Sequence, residues 1–256
     1  MTMYRLKSAV LVIICILGMV SAKAISVPES LNYKVMYKWG LINKQAGRVN
    51  LSTKTNGDGT FRATLTAASD PWADSFYKVR DTLRGVIDNK TLEPSYYEKI
   101  SHEGGSYKRD VIKYSRSGKS VTAKCERHKA KNEKNKPTVS YVTHTAQGYT
   151  LDMLSAFYYM RSLNYSSMKT GATQVMNIFS GKRKEILTIT YHGKETKEID
   201  DKKYQTYHIS FKFTEKGGKE TSDRMDAWLS TSAGHIPLLL EGKLTVGKVR
   251  CVYIGK

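Results

Sequence analysis

The chain has 256 residues and carries 42 Lys and Arg against 23 Asp and Glu, a formal charge of +19. Apolar residues make up 40% and aromatics 10%, which excludes a chain disordered throughout, and three cysteines exclude a disulfide-built miniprotein. The length suits one large all-β domain or two small ones, and the charge excess invites a nucleic-acid reading.

Arg5 and Lys7 precede an apolar run from Ala9 to Val20, followed by Ala22, Lys23 and Ala24. A positive start, a short apolar stretch and small residues at the cut predict a cleaved secretory signal over residues 1–24. The apolar run is shorter than the roughly 20 residues that span a bilayer. Val12, Ile13 and Ile14 before Cys15 argue against a lipoprotein signal. Cleavage removes three positive charges, leaving 19 − 3 = +16. The expected compartment is the periplasm, or the medium if the protein is secreted. Cys125 and Cys251 remain, both on the apolar side of alternating runs, as a disulfide or as two buried thiols.

Residues 25–256 read as a single antiparallel domain. Tyr33, Val35, Tyr37 and Trp39 alternate with polar or charged neighbours, as do Phe61, Ala63, Leu65 and Ala67, and Tyr207, Ile209, Phe211 and Phe213. Each run turns one face to a core and one to water. Turn signals separate the runs at Asn56-Gly57, Asp88-Asn89, Ser117-Gly118, Lys216-Gly217 and Ala233-Gly234, which predicts long hairpins in a meander. The polar stretch Arg127–Pro137 reads as an exposed loop. One segment breaks the pattern: at about 151–164, Leu151, Leu154, Phe157, Tyr158 and Arg161 fall at helical spacing behind Asp152. Met153, Met160 and Leu163 widen its apolar face, so the helix belongs in the concave side of a curved sheet. A shorter helical turn is expected near 72–76, after Pro71.

Enzyme motifs fail on inspection. Gly118-Lys119-Ser120 lacks the upstream glycine and the following helix of a phosphate-binding loop. The six histidines show no metal-ligand spacing, and His208 sits on the polar side of its run, so neither a metal nor a cofactor is expected. Asp81 and Asp88 are the one carboxylate pair suggestive of glycan hydrolysis, although turn capping or a bond to Arg80 explains them more simply. Basic clusters at Arg127–Lys136 and Lys182–Lys184 have no nucleic-acid motif around them, which leaves an anionic envelope polymer or lipid headgroup as the partner class. Two aromatic groups stand off the long strands: Trp72, Phe76 and Tyr77, and Phe157, Tyr158 and Tyr159. If both helical segments plug a curved sheet, these residues line the gap.

Phe76-Tyr77-Lys78-Val79-Arg80-Asp81, Glu103-Gly104-Gly105-Ser106-Tyr107-Lys108-Arg109, Asp152 through Arg161, and Ile236-Pro237-Leu238 through Gly247 together resemble an exported Gram-negative family classed as a domain of unknown function. The resemblance implies a half-barrel with helices on its concave side, similar to the lipoprotein carriers LolA and LolB, and no known activity. The leading expectation is therefore a periplasmic, non-enzymatic protein that holds an apolar or amphipathic envelope ligand in the concave face. Trp72, Phe76, Tyr77, Phe157 and Tyr158 are the ligand-binding candidates. The alternatives are an envelope scaffold that binds a protein partner, and a hydrolase of glycan or phosphodiester polymers.

Overall fold

A computed structural model describes residues 27–132, 134–215, 220–244 and 246–255. The expected signal segment 1–24 and the Lys216-Gly217-Gly218 turn lie outside the described residues. The first eight strands are β1 (Glu29–Trp39), β2 (Ile42–Thr55), β3 (Thr60–Ser69), β4 (Val79–Asp88), β5 (Pro94–Glu103), β6 (Ser106–Ser117), β7 (Ser120–Ala130) and β8 (Thr138–Gln147). Helix α1 (Pro71–Tyr77) joins β3 to β4. After the short β9 (Thr150–Leu151) and helix α2 (Met153–Ser162) come β10 (Thr173–Phe179), β11 (Lys184–Ile199), β12 (Lys202–Thr214), β13 (Met225–Ser230), β14 (Pro237–Lys243) and β15 (Lys248–Gly255).

All fifteen strands form one sheet, in the order β8-β7-β6-β5-β4-β3-β2-β1-β15-β14-β13-β12-β11-β10-β9. Every pairing is antiparallel except β9 with β10. The two outermost strands, β8 and β9, are consecutive in sequence, so the sheet curls until its ends meet. Among the described residues no ladder crosses that seam. Asn177 donates to Gln147 O at 3.0 Å, Lys184 to Thr145 O at 2.8 Å, and Tyr114 to Phe179 O at 3.3 Å. The expected curved antiparallel sheet is present, and its curvature carries it to a nearly closed barrel.

The interior follows from the alternation. Leu31, Leu51, Phe61, Ile87, Tyr97 and Ile112 point inward from one arc of the wall, and Ile178, Leu187, Ile189, Ile209 and Leu229 from the other. Helix α2 lies between them, where it gives Leu154 and Tyr158 to the first cluster and Ala156 and Met160 to the second. Its apolar face is wide because it is packed from both sides. Asp152 caps it: the side chain accepts from Ser155 N at 2.8 Å, and Ser155 Oγ accepts from Asp152 N at 2.8 Å.

At its C-terminal end, Arg161 is fully buried and forms a bidentate pair with Glu29, 2.7 and 2.8 Å, while its Nε donates to Gly234 O. Glu29 N in turn donates to Thr53 Oγ1. These bonds tie the helix to the first strand and to the β13–β14 turn, and the geometry satisfies both charges.

One local reading changes, and one open choice narrows. Arg127 belongs to β7, not to a loop; it points inward and grips Asp110 with bonds of 2.7 and 3.3 Å. Cys125 and Cys251 are free thiols. They sit on β7 and β15, with six strands between them in the sheet order, which is too far for a disulfide.

Candidate functional site

Antiparallel connectivity sends alternate connections to opposite ends of the barrel. The β1–β2 turn, α1, the β5–β6 turn and the β14–β15 turn all reach the same end, called here the α1 rim. The start of β1, the β13–β14 turn and the C-terminal end of α2 lie at the other. The helix therefore plugs the far end, and the rim end is lined by inward residues that are only half-buried: Val49, Leu65, Leu83, Leu240 and Tyr253.

The rim itself is apolar. Trp39, Leu41 and Ile42 project from the β1–β2 turn, Phe76 and Tyr77 from α1, and Leu244 and Val246 from the β14–β15 turn. Phe76 is 82% exposed and Leu41 wholly so. These three connections touch. Tyr37 donates to Val246 O at 3.1 Å, and Gly247, with φ +79°, sits so close to Lys38 O that a Cβ there would collide with it. On the other side, Trp72 Nε1 donates to Gln45 O at 2.6 Å, Asp70 N donates to Ala46 O, and Lys44 Nζ lies 4.8 Å above the Trp72 ring. Lys38, Lys44, Lys78 and Lys243 are exposed around the patch. Such a surface is costly in water unless something covers it.

Of the five aromatic candidates, the structure brings together two groups and does not join them. Trp72 and Phe76 are edge to face at 6.2 Å on the rim, and the Tyr77 ring lies against Gly104 of the β5–β6 turn. Phe157 and Tyr158 are deeper. Tyr158 has no exposure and is wedged against Phe61 at 5.2 Å, so it is core. Phe157 is half-buried beside both core clusters and under the Arg161 guanidinium.

The carboxylate pair separates. Asp81 and Asp88 are seven residues apart on β4, roughly 23 Å along an extended strand, far beyond the reach of a glycosidase pair. Asp88 caps the β4–β5 turn by accepting from Lys90 N and Thr91 N, which holds its carboxyl below the ordinary range. Asp81 faces inward near the rim, and Arg80 pairs with Asp74 instead. Ser101 Oγ lies 3.1 Å from Asp81 and 3.4 Å from Glu103, with Lys99 Nζ 3.9 and 3.8 Å from the same two carboxylates. Burial, and then the Glu103 carboxylate, raise Asp81. This small polar patch sits at the foot of the apolar lip. No spacing in the sequence flags it, because Asp81 and Ser101 become neighbours only through the β4–β5 register.

The histidines are not all scattered. His192, His208 and Asp226, on β11, β12 and β13, offer ligand atoms that lie within 4.8 Å of one another. Among the described residues no helix is long and apolar enough to cross a membrane.

Comparison with known proteins adds fold and family. No curated protein matches the chain. The structure is similar to the crystal structure of a beta-barrel-like protein of domain of unknown function DUF1849 from Brucella abortus. The TM-score is 0.60 at 11% identity, covering 90% of this chain and 97% of that one. That likeness shows the fold. A family model, the protein of unknown function DUF3108, matches residues 32–252, so the chain belongs to the DUF3108 family.

Proposed function

We propose that this is an exported, periplasmic binding protein whose α1 rim settles on anionic envelope lipid and admits the apolar part of an amphipathic ligand to the inner wall. The observation that carries this is the rim. Seven of the twelve exposed large apolar side chains among the described residues lie on its three adjacent connections, ringed by lysines. Apolar side chains flanked by lysines suit the boundary between headgroups and acyl chains, where each lysine near an anionic surface contributes about 1 kcal/mol. Phe76, Tyr77 and Trp72 then form the entrance. Val49, Leu65, Leu83, Leu240 and Tyr253 form the wall an acyl chain would meet, and Phe157 borders that space from the helix. Tyr158 is reassigned from ligand contact to the packing that holds the helix in place. A barrel-like fold in a family of unknown function is compatible with this reading.

The test is co-sedimentation of residues 25–256 with vesicles of phosphatidylglycerol or of phosphatidylcholine, for the wild type and for Leu41→Asp and Phe76→Asp. The expected result is binding to the anionic vesicles that weakens with salt and falls at least about tenfold in either variant. Equal binding by wild type and variants, or none by the wild type, overturns the reading. Native mass spectrometry of protein extracted from membranes reads the second half of the proposal directly, as the mass of a carried lipid.

A further inference from the structure

The β11–β12 hairpin carries a bulge. Tyr191 pairs with Ile209 and Gly193 with His208, so His192 has no partner across the ladder. Gly193, at φ +113°, supplies the backbone turn that an L side chain rarely adopts. Tyr191 stays in the core, so His192, the next residue, faces the outer wall beside His208. The two imidazole rings are 4.7 Å apart. Asp226, opposite Ser210 on the next strand, reaches His208 Nε2 with Oδ1 at 2.9 Å.

We propose that His192, His208 and Asp226 form a site for a divalent transition-metal ion, with Zn²⁺ the ion best matched to two imidazoles and one carboxylate. The three donor atoms lie within 4.8 Å of one another. Tetrahedral ligands on an ion at about 2.1 Å stand about 3.4 Å apart, so side-chain rotation of about 1.5 Å closes the set. All three residues are partly exposed, which gives an ion a path in and leaves a coordination position to water.

The surroundings are those of a held site. Glu195 Oε1 lies 3.8 Å from His208 Nδ1, on the side of the ring away from Asp226, where a carboxylate orients a metal-bound imidazole. Ser210 Oγ is 2.7 Å from His192 Nε2, and Arg224 donates to Asp226 Oδ1 at 2.7 Å. The Trp228 indole stacks flat on His208 at 4.7 Å, donates to Glu195, and is capped by Lys197 Nζ at 3.6 Å. Trp228 is itself buried in a third apolar cluster with Ile199, Leu239 and Val252 on the outer wall. The Trp228 ring under His208 and the Ser210 bond to His192 hold both rings before any ion arrives. The site is on the opposite surface of the sheet from the lined interior, so it stands whether or not the rim binds lipid.

The test is isothermal titration of ZnCl2 into tag-free protein, with Co²⁺ absorption as a second probe of coordination. One equivalent of Zn²⁺ is expected, with a visible Co²⁺ band from nitrogen and oxygen donors. His192→Ala, His208→Ala and Asp226→Asn should each weaken binding by more than about 100-fold, beyond the 10–100-fold typical of losing an outer brace. His208→Ala removes a stacking partner, so His192→Ala and Asp226→Asn carry the conclusion, with circular dichroism and urea midpoints confirming that they fold. Glu195→Gln should weaken binding less than any ligand variant. Absence of Zn²⁺ binding by the wild type, or unchanged affinity in His192→Ala and Asp226→Asn, overturns the proposal.

Discussion

Asp152 caps α2 from a position with no exposure to solvent. One carboxylate oxygen accepts from Ser155 N, and the other, Oδ2, has no partner. Burial pushes the group from an ordinary 3.8 up to about 7, against the opposing pull of the Ser155 bonds. In the unfolded chain it titrates near 3.8, so between these values the native state holds a proton that the unfolded state has released. Stability from this group therefore falls as pH rises from about 4 to about 7, and is level above that. At 1.36 kcal/mol per decade of pH, the interval corresponds to a loss of about 4 kcal/mol. Asp152→Asn keeps the capping oxygen and cannot ionise. Urea unfolding of both proteins at pH 4, 5, 6, 7 and 8 should give a stability difference, variant minus wild type, that climbs by about 4 kcal/mol across the series. A difference that stays constant with pH refutes the argument, because it would mean that ionisation of Asp152 costs the native state nothing.

The Glu29–Arg161 pair is a buried ion pair that links α2 to β1. Glu29→Gln or Arg161→Met alone should destabilise by about 3–5 kcal/mol in urea unfolding, and the double variant should recover part of that loss; a loss under about 1 kcal/mol for either single change contradicts it. Tyr158→Ala should cost about 3–5 kcal/mol by leaving a void against Phe61, whereas Tyr158→Phe, which removes a hydroxyl with no partner, should leave stability within about 1 kcal/mol. Burial pushes the Cys125 and Cys251 thiols up to about 12 and about 11. Labelling by a disulfide reagent at pH 8 should accordingly be at least about 100-fold slower in the folded protein than in urea. Equal rates would show an accessible thiolate.

The wall of the barrel was written plainly in the sequence, because inward and outward positions alternate so strictly that strands, turns and core face follow from period two. The helix was equally legible: Asp152, the 3.6-residue apolar spacing and a nearly encircling hydrophobic face need a concave sheet to receive them. What could not be read was which strands become neighbours. His192 and His208 are 16 residues apart, and only the β11–β12 register sets them side by side. Asp81 and Ser101 meet through β4–β5 pairing in the same way, while Asp81 and Asp88, close in sequence, are carried apart by the extension of one strand. The aromatic candidates divided on depth. Helical spacing identifies Phe157 and Tyr158 as apolar-facing but not which of them the sheet closes over. The exposed rim was hidden for a related reason, since Trp39, Leu41, Phe76 and Val246 come from three distant turns that only the barrel's single end brings together.

The pairing of β1 with β15 sets the order in which this fold can be completed. β1 through β8 form one uninterrupted meander, and β10 through β15 another, each built almost wholly of hairpins between consecutive strands. Those hairpins close short loops and form early, but the two sheets share their long seam only when the last strand reaches the first. Until then β1 presents an open edge with Tyr33, Val35 and Tyr37 along it, and α2 has only part of its covering wall. A chain that emerges N-terminus first into its folding compartment would therefore leave half a barrel waiting with an exposed edge, the kind of species that chaperones protect from aggregation.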